Sequence, residues 1–462
     1  MRIKHTFLAV LLAALLAGAA ALRAETTEQL ETQLKRLPRL ATLVYVTAHP
    51  DDESAAILTY LARGLHARAV LLCMTRGEGG QNQEGPELGE ELGRVRSAEL
   101  QRAVAGYGAE VRFLGAEDFG YSKSLEETLA FWDVDALLER LVWQIRTLRP
   151  LAVISHWSGE RAAAGKHHQA AGVLTRRAFV LAADPEAFPQ HFQQGLIPWQ
   201  ARTLLVRTYD AEGEQLLDVP VQQPSPVPGK TYEELGWEGF QQHRSQGMHR
   251  FNLSDVPFRR HYNLRVAATL RDGPPAPVNV AELAPDLAAL PDLFPTVGFP
   301  ETTRAKLAQA VELAERARRQ LGEQTRDEAA LSLVQGAGIL AGLLREFSDE
   351  ESTLATGQAL AWVEDKKTEY LRTAAALAGV KLLAQSDRAA VSPGEQVWVR
   401  LGIQVEAPAV LRAAGFHFGA LRLQTPLDWH VEALTADSES ATPSAEFMVS
   451  IPEGLDPRRL PA

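Results

Sequence analysis

From about residue 40 to 210 the chain repeats one pattern: a short apolar run, then apolar residues at helical spacing, often with a loop between them. "LVYVTA" (43–48) precedes "ESAAILTYLARGLH" (53–66). "AVLLCMT" (69–75) precedes a glycine-rich loop and "ELGEELGRVRSAELQRAVAGYG". "VRFLGA" (111–116) precedes "DVDALLERLVWQIRTL" (133–148), and "LAVISHW" (151–157) precedes "HQAAGVLTRRAFVLA" (168–182). "TLLVRTY" (203–209) closes the series. Continuous apolar runs are those of strands covered on both faces. Their alternation with helices predicts an α/β fold with a mostly parallel sheet flanked by helices. Such sheets bind ligands beyond the carboxyl ends of their strands.

The pattern then changes. Residues 271–298 are proline-rich ("RDGPPAPVNVAELAPDLAALPDLFP" opens the stretch) and predict a linker. Residues 301–346 and 350–378 carry helical periodicity and predict a helical hairpin within a helical region, 299–378. From 379, alternation on either side of a Pro-Gly turn predicts a β-sandwich-like module, 379–462. That leaves about 80 residues where a sandwich usually takes about 100, so a partial module is expected, and the chain reads as a possible fragment of a longer one.

Composition refines this picture. A chain of 462 residues has room for two or three domains. Residues 1–24 have a basic start (Arg2, Lys4), the apolar run "FLAVLLAALLAGAAAL" and small residues, the layout of a secretory signal peptide. Export to the periplasm or the extracellular space is therefore expected, with residues 25–270 as the first folded domain. No apolar run reaches the roughly 20 residues of a spanning helix, so no transmembrane segment is expected after signal removal. The net charge of −11 becomes more acidic without residues 1–24 and disfavours nucleic acid or anionic membranes as partners. Cys73 is the only cysteine, which excludes an internal disulfide, and its apolar surroundings mark a buried strand residue.

Chemistry concentrates at "YVTAHPDDES" (45–54), where a histidine and two aspartates follow an apolar strand. A carboxylate pair there is repulsive unless a cation sits between the side chains. One imidazole and one carboxylate suit zinc; a third protein ligand plus water would complete an open catalytic site and leave the second aspartate as a base. "GKHHQAAG" (165–172), after the strand "LAVISHW", offers the missing histidine. The competing structural reading makes His49, Asp51 and Asp52 a cap at a strand–helix junction. His167 and His168 could be solvated at a helix start, Arg96 an i,i+3 partner of Glu99, and His243 an exposed loop residue.

"AHPDDES" with the downstream "HHQAAG" resembles the PIG-L/LmbE-like family of zinc-dependent N-acetylglucosaminyl de-N-acetylases, as do "TRGEGGQN" (75–82), "LGRVRSAEL" (92–100), "FLGAEDFGYSKS" (113–124) and "HRSQGM" (243–248). The resemblance covers about residues 40–260, and the later regions resemble the extended secreted bacterial members. It implies a Rossmann-like fold and one Zn2+, or another divalent ion, per catalytic domain. His49, Asp52 and His168 would be the metal ligands and Asp51 the general base. Arg96, Glu78 and Asn82 would lie at the substrate, with Gly79 and Gly80 in the same loop. The family's H-x-x-H pattern has a histidine where this chain has Gly165. His156, with His167 in reserve, is expected to take that histidine's catalytic role beside the oxyanion. The implied reaction removes an N-acetyl group from an N-acetylated amino sugar or glycoconjugate. The rival readings are a non-catalytic carbohydrate-binding protein on a degenerate deacetylase scaffold and a different metal hydrolase such as a phosphoesterase.

Overall fold

The computed structural model describes residues 26–160, 165–210, 212–255, 262–269, 277, 279–323, 325–347, 353–388, 394–405, 430–437 and 444–450. The expected signal segment 1–24 lies outside these residues. The chain forms two compact units: Arg39–Ala305 with Asp349–Trp362, and Met1–Pro38 with Lys306–Ser348 and Val363–Ala462.

The first unit is built on a seven-stranded sheet. Its strands are β1 (Thr42–Thr47), β2 (Arg68–Cys73), β3 (Glu110–Phe113), β4 (Ala152–Ser155), β5 (Thr203–Thr208), β6 (Leu216–Asp218) and β7 (Asn263–Thr269), in the order β3-β2-β1-β4-β5-β7-β6. β1 to β5 run parallel, as the alternating pattern predicts. β7 and β6 extend the sheet antiparallel, which the sequence pattern does not reveal. The side chains of β1 and β2 are buried from the second residue onward, which is why both read as unbroken apolar runs. Cys73 is among them, buried and unpaired by any disulfide.

The helices that cover the sheet carry their own start and stop signals. Val134–Leu148 begins at Asp133, whose carboxylate accepts from the Ala136 N–H. Gly89–Tyr107 ends at Gly108, at φ 80°. The chain runs outward from β1 through β2 to β3, then returns to place β4 on the other side of β1. The crevice between β1 and β4 is therefore the switch point where such sheets bind ligands.

The expected linker is corrected in part. Residues 271–276 and 278 lie outside the description, but 279–298 form short helical turns with Leu283, Leu287, Leu290 and Phe294 buried. Leu40 donates its N–H to the Pro285 carbonyl, tying this stretch beside the entry to β1. The prolines here shape turns around an apolar core. Phe294 also packs against Trp362, as does Trp199. The helical region is thus divided between the two units rather than forming a block of its own.

In the second unit, the helices Thr27–Arg36, Arg326–Glu346 and most of Glu301–Gly322 and Leu354–Leu377 gather with a four-stranded sheet. The helix Arg326–Glu346 is long and apolar enough to cross a membrane by length and composition, against the expectation that no such stretch exists. Its residues Ala329, Leu333, Ala337, Leu340 and Leu343 are buried within the protein. The sheet comprises β8 (Val380–Ser386), β9 (Gln396–Val405), β10 (His430–Asp437) and β11 (Ser444–Ser450), all antiparallel in the order β10-β11-β9-β8. Val397, Val399 and Leu401 face Val449, Phe447 and Ala445 across the ladder and form one apolar face. Among the described residues this is one sheet, with no second sheet layered on it to make a sandwich.

Candidate metal centre and active site

The turn that leaves β1 is held by its own acids. The Asp52 carboxylate accepts the His49 N–H at 2.7 Å, and the Asp52 N–H reaches the His49 carbonyl at 3.3 Å. Between them Asp51 sits at φ 96°, a conformation a non-glycine residue rarely adopts. Glu53 secures it by accepting the Asp51 N–H at 3.0 Å. This geometry keeps the His49 and Asp52 side chains together and sends those of Asp51 and Glu53 to other partners, Arg96 and His243.

His49 and Asp52 meet His168, which comes from the first turn of the helix after β4. His49 Nδ1 lies 3.2 Å from Asp52 Oδ2 and 3.2 Å from His168 Nε2, while His168 Nε2 lies 3.1 Å from Asp52 Oδ1. The expected convergence of the three donors is present. Tetrahedral ligands bound at about 2.0–2.1 Å stand about 3.4 Å apart, so the spacing suits a zinc-sized cation. Hydrogen bonds alone satisfy the group poorly. If both rings protonate toward Asp52, two N–H groups face each other, and if either does not, a donor is lost. The three side chains are 11–17% exposed, so the group is sheltered yet reachable. Burial works to raise the Asp52 carboxyl, but His168 and His49 hold it well below the usual carboxylate range. Trp157 stacks on the His168 ring at 4.1 Å and fixes its plane.

His167 lies behind His49. Its Nδ1 is 3.0 Å from His49 Nε2, and Asp118, from the loop after β3, is 3.9 Å from the same nitrogen. Neighbouring residues at a helix start diverge, so His168 and His167 reach opposite edges of one imidazole. A His49 that ligates through Nδ1 carries its proton on Nε2 and donates it here, which sets the ring's tautomer. Burial, with His49 second, pushes the His167 imidazole down to about 4, so it is neutral and can accept. Phe119 and Trp132 enclose it. The reserve oxyanion role expected for His167 is corrected to this place behind His49. Asp118, within "FLGAEDFGYSKS", joins the site without having been expected from the sequence; its signal is an acid just beyond a strand end.

Asp51 points elsewhere. Its Oδ1 meets Arg96 Nη2 at 2.8 Å, with the carboxylate 28% exposed and the guanidinium 5%. Arg96 also donates to the carbonyls of Pro50 and Gly77. Arg96 therefore anchors the base candidate instead of pairing with Glu99, whose carboxylate accepts from the Ser245 N–H and hydroxyl. Burial raises the Asp51 carboxyl against the pull of Arg96. His243 is fully buried, not an exposed loop residue, and its Nε2 lies 2.7 Å from Glu53. Tyr107 donates its hydroxyl to the same Glu53 oxygen at 2.9 Å.

The remaining expected residues are dispersed. His156 follows β4 and directs Nδ1 to the Tyr45 hydroxyl at 2.9 Å, not to the His49 group. Glu78 accepts the Arg76 N–H within its own turn. Asn82 accepts from the Glu84 and Gly85 N–H groups and donates to Glu87, so loop closure occupies its whole amide and replaces the expected substrate contact. Gly165 has φ 79° and ψ 145°, and a Cβ there would stand 3.4 Å from His168 Nδ1. That backbone favours glycine over the family's histidine.

Fold and site together define an α/β protein with a candidate metal centre at the switch point of its sheet. The chain belongs to the PIG-L family, described as GlcNAc-PI de-N-acetylases, whose model matches residues 44–179. That family is one of N-deacetylating hydrolases. The chain is similar to 1D-myo-inositol 2-acetamido-2-deoxy-alpha-D-glucopyranoside deacetylase 2 of Frankia casuarinae, 31% identical over 214 residues, 42% of this chain and 67% of that one. It is similar to the corresponding deacetylase of Thermobispora bispora, 36% identical over 179 residues, 34% of this chain and 56% of that one. The chain thus spans about two thirds of the first relative and little over half of the second. Among solved structures, N,N'-diacetylchitobiose deacetylase from Pyrococcus horikoshii aligns over 52% of this chain and 93% of that one, with 16% identity and a TM-score of 0.37.

Proposed function

We propose that this protein is a metal-dependent N-deacetylase that releases acetate from an N-acetylated amino sugar or glycoconjugate. The observation that carries the reading is the convergence of His49 Nδ1, Asp52 and His168 Nε2 to 3.1–3.2 Å beside a separate carboxylate, Asp51. A divalent ion held by the three, zinc by the character of the donors, would acidify a water and polarise the acyl carbonyl. Asp51 is the proton acceptor for that water. It lies one residue from a ligand, is reachable from solvent, and has burial raising its carboxyl toward the range of a useful base. Arg96 holds one Asp51 oxygen and leaves the other for the water. After attack, Asp51 passes the proton to the departing nitrogen, so acetate and a free amine leave. Glu53 fixes the strained backbone that aims Asp51, and His167 with Asp118 fixes the edge of His49 turned away from the ligand group.

Support for an amino-sugar substrate comes from the relatives, which are named for sugar deacetylation. Export of the protein remains part of the proposal on the strength of residues 1–24 alone. The test is acetate release from a panel of N-acetyl sugars by zinc-loaded protein, with Asp51→Asn alongside. Release by the wild type that fails in the variant supports the reading. No release from any member, with metal bound, favours the carbohydrate-binding rival.

A further inference from the structure

Arg207 lies one strand away from the crevice and has no role in the reaction above. Val46 pairs with Ser155 and Ser155 with Val206, so His156 and Arg207 stand side by side at the carboxyl ends of β4 and β5. The pleat puts both on the same face as Tyr45, whose partner in β4 is Ile154. Tyr45 confirms the placement by meeting His156 Nδ1 with its hydroxyl.

Arg207 is only 7% exposed, and its Nε and Nη1 are buried with no hydrogen-bond partner. Among the described residues no carboxylate pairs with it. Its plane is covered by Tyr209, with the guanidinium carbon 3.4 Å from the ring centroid, and Tyr209 is itself 54% exposed. The cation therefore lies just beneath the surface, with an aromatic face on one side and the N–H groups of Nε and Nη1 unclaimed. A guanidinium cannot shed its charge, and a buried charge without a partner is what folded proteins avoid. The neighbours do not supply the missing anion. Burial, and then Arg207 itself, pushes His156 down to about 3, and burial pushes Tyr45 up, so both are neutral at pH 7.

We infer that Arg207, with Tyr209 over it and His156 and Tyr45 beside it, forms an oxyanion subsite for a phosphate or carboxylate carried by the substrate. The inference rests on the deacetylase reading and narrows it to N-acetylated amino sugars that bear an acidic group. Planar, two-pronged recognition of such groups is what a guanidinium edge provides and an ammonium does not.

The test compares kcat/KM for N-acetylglucosamine with its 6-phosphate and with N-acetylmuramic acid, in wild type, Arg207→Gln and Arg207→Lys. The expected result is a preference for the acidic substrates, expressed mainly in KM, that falls about 10- to 100-fold in Arg207→Gln, as loss of a charge-assisted pair predicts, and by less in Arg207→Lys. Turnover of N-acetylglucosamine reports that each variant has folded. An acidic-to-neutral ratio unchanged in Arg207→Gln overturns the inference. So does relief of acetate inhibition without a change in that ratio, which would assign the group to the released product. If the wild type turns over none of these, calorimetry with inorganic phosphate decides the subsite independently of the hydrolase reading. Binding at least ten-fold weaker in Arg207→Gln supports it, and equal binding overturns it.

Discussion

Asp51 and Glu53 stand two residues apart in one turn, and each faces one cation, yet their surroundings differ. The Asp51–Arg96 pair leaves its carboxylate 28% exposed, whereas in the Glu53–His243 pair neither side chain is more than 1% exposed. Burial outweighs Arg96 and raises Asp51, while His243 and further donors outweigh burial and lower Glu53. A carboxylate with one committed oxygen and a raised pKa is placed to exchange a proton. A carboxylate receiving Tyr107, His243 and the Asp51 N–H is placed to hold a backbone. Two acids that look alike in sequence are separated into chemistry and scaffold by how many donors reach them.

That contrast can be broken by substitution. Asp51→Asn is expected to lower deacetylation about 10²–10⁴-fold while leaving the metal content unchanged, since it removes a base and no ligand. Steady-state rates at equal metal loading check this. Glu53→Ala should act through the fold. Removing one member of a buried pair costs about 3–5 kcal/mol, read as a drop in unfolding free energy by denaturant titration. Had Asp51→Asn destabilised as strongly, the division of roles would be wrong.

Asp118→Asn and His167→Ala probe the far edge of His49. Loss of a partner to a ligating histidine typically weakens metal binding about 10- to 100-fold, measurable by competition with a chelator. Retained affinity in both would deny them a part in fixing the ring.

The smallest effect is a pH dependence of stability. Burial works to lower His243, but Glu53 more than offsets it and raises the imidazole above its ordinary 6.5. Its contribution is therefore complete below pH 6.5 and declines as pH rises through the folded value. Burial works to raise Glu53, but His243 first among its partners lowers it below its ordinary 4.5, so its contribution is complete above pH 4.5 and is lost as pH falls through the folded value. The stability difference between wild type and His243→Gln is expected to be greatest between 4.5 and 6.5 and to shrink on both sides. A flat difference from pH 4 to 9 would show that the pair contributes nothing through charge.

Much of this arrangement was legible in the sequence because the relevant signals are local. Short apolar runs marked β1 to β5, and His49, Asp51 and Asp52 follow the first of them directly. His168 was found because it too follows a strand end by one loop. What escaped were partners set by long-range folding. His243 is 190 residues from Glu53, and no spacing rule links them. Asp118 lies in a matching segment but only its burial singles it out there, and Arg207 carries no motif at all; residue type alone does not disclose burial. Asn82 shows the opposite error, since a polar residue in a loop near a site was read as facing ligand when its own loop uses it. The prolines of 279–298 likewise suggested a tether because turn residues look the same whether or not leucines beneath them are buried.

The central claim is that His49, Asp52 and His168 hold one divalent ion while Asp51 does not. Calorimetric titration of metal-depleted protein with zinc, for the wild type, Asp51→Asn, His49→Ala, Asp52→Ala and His168→Ala, tests it most directly. One tight ion is expected in the wild type and in Asp51→Asn, with binding abolished or weakened by orders of magnitude in the other three. Undiminished zinc binding in any of those three, or its loss in Asp51→Asn, would contradict it.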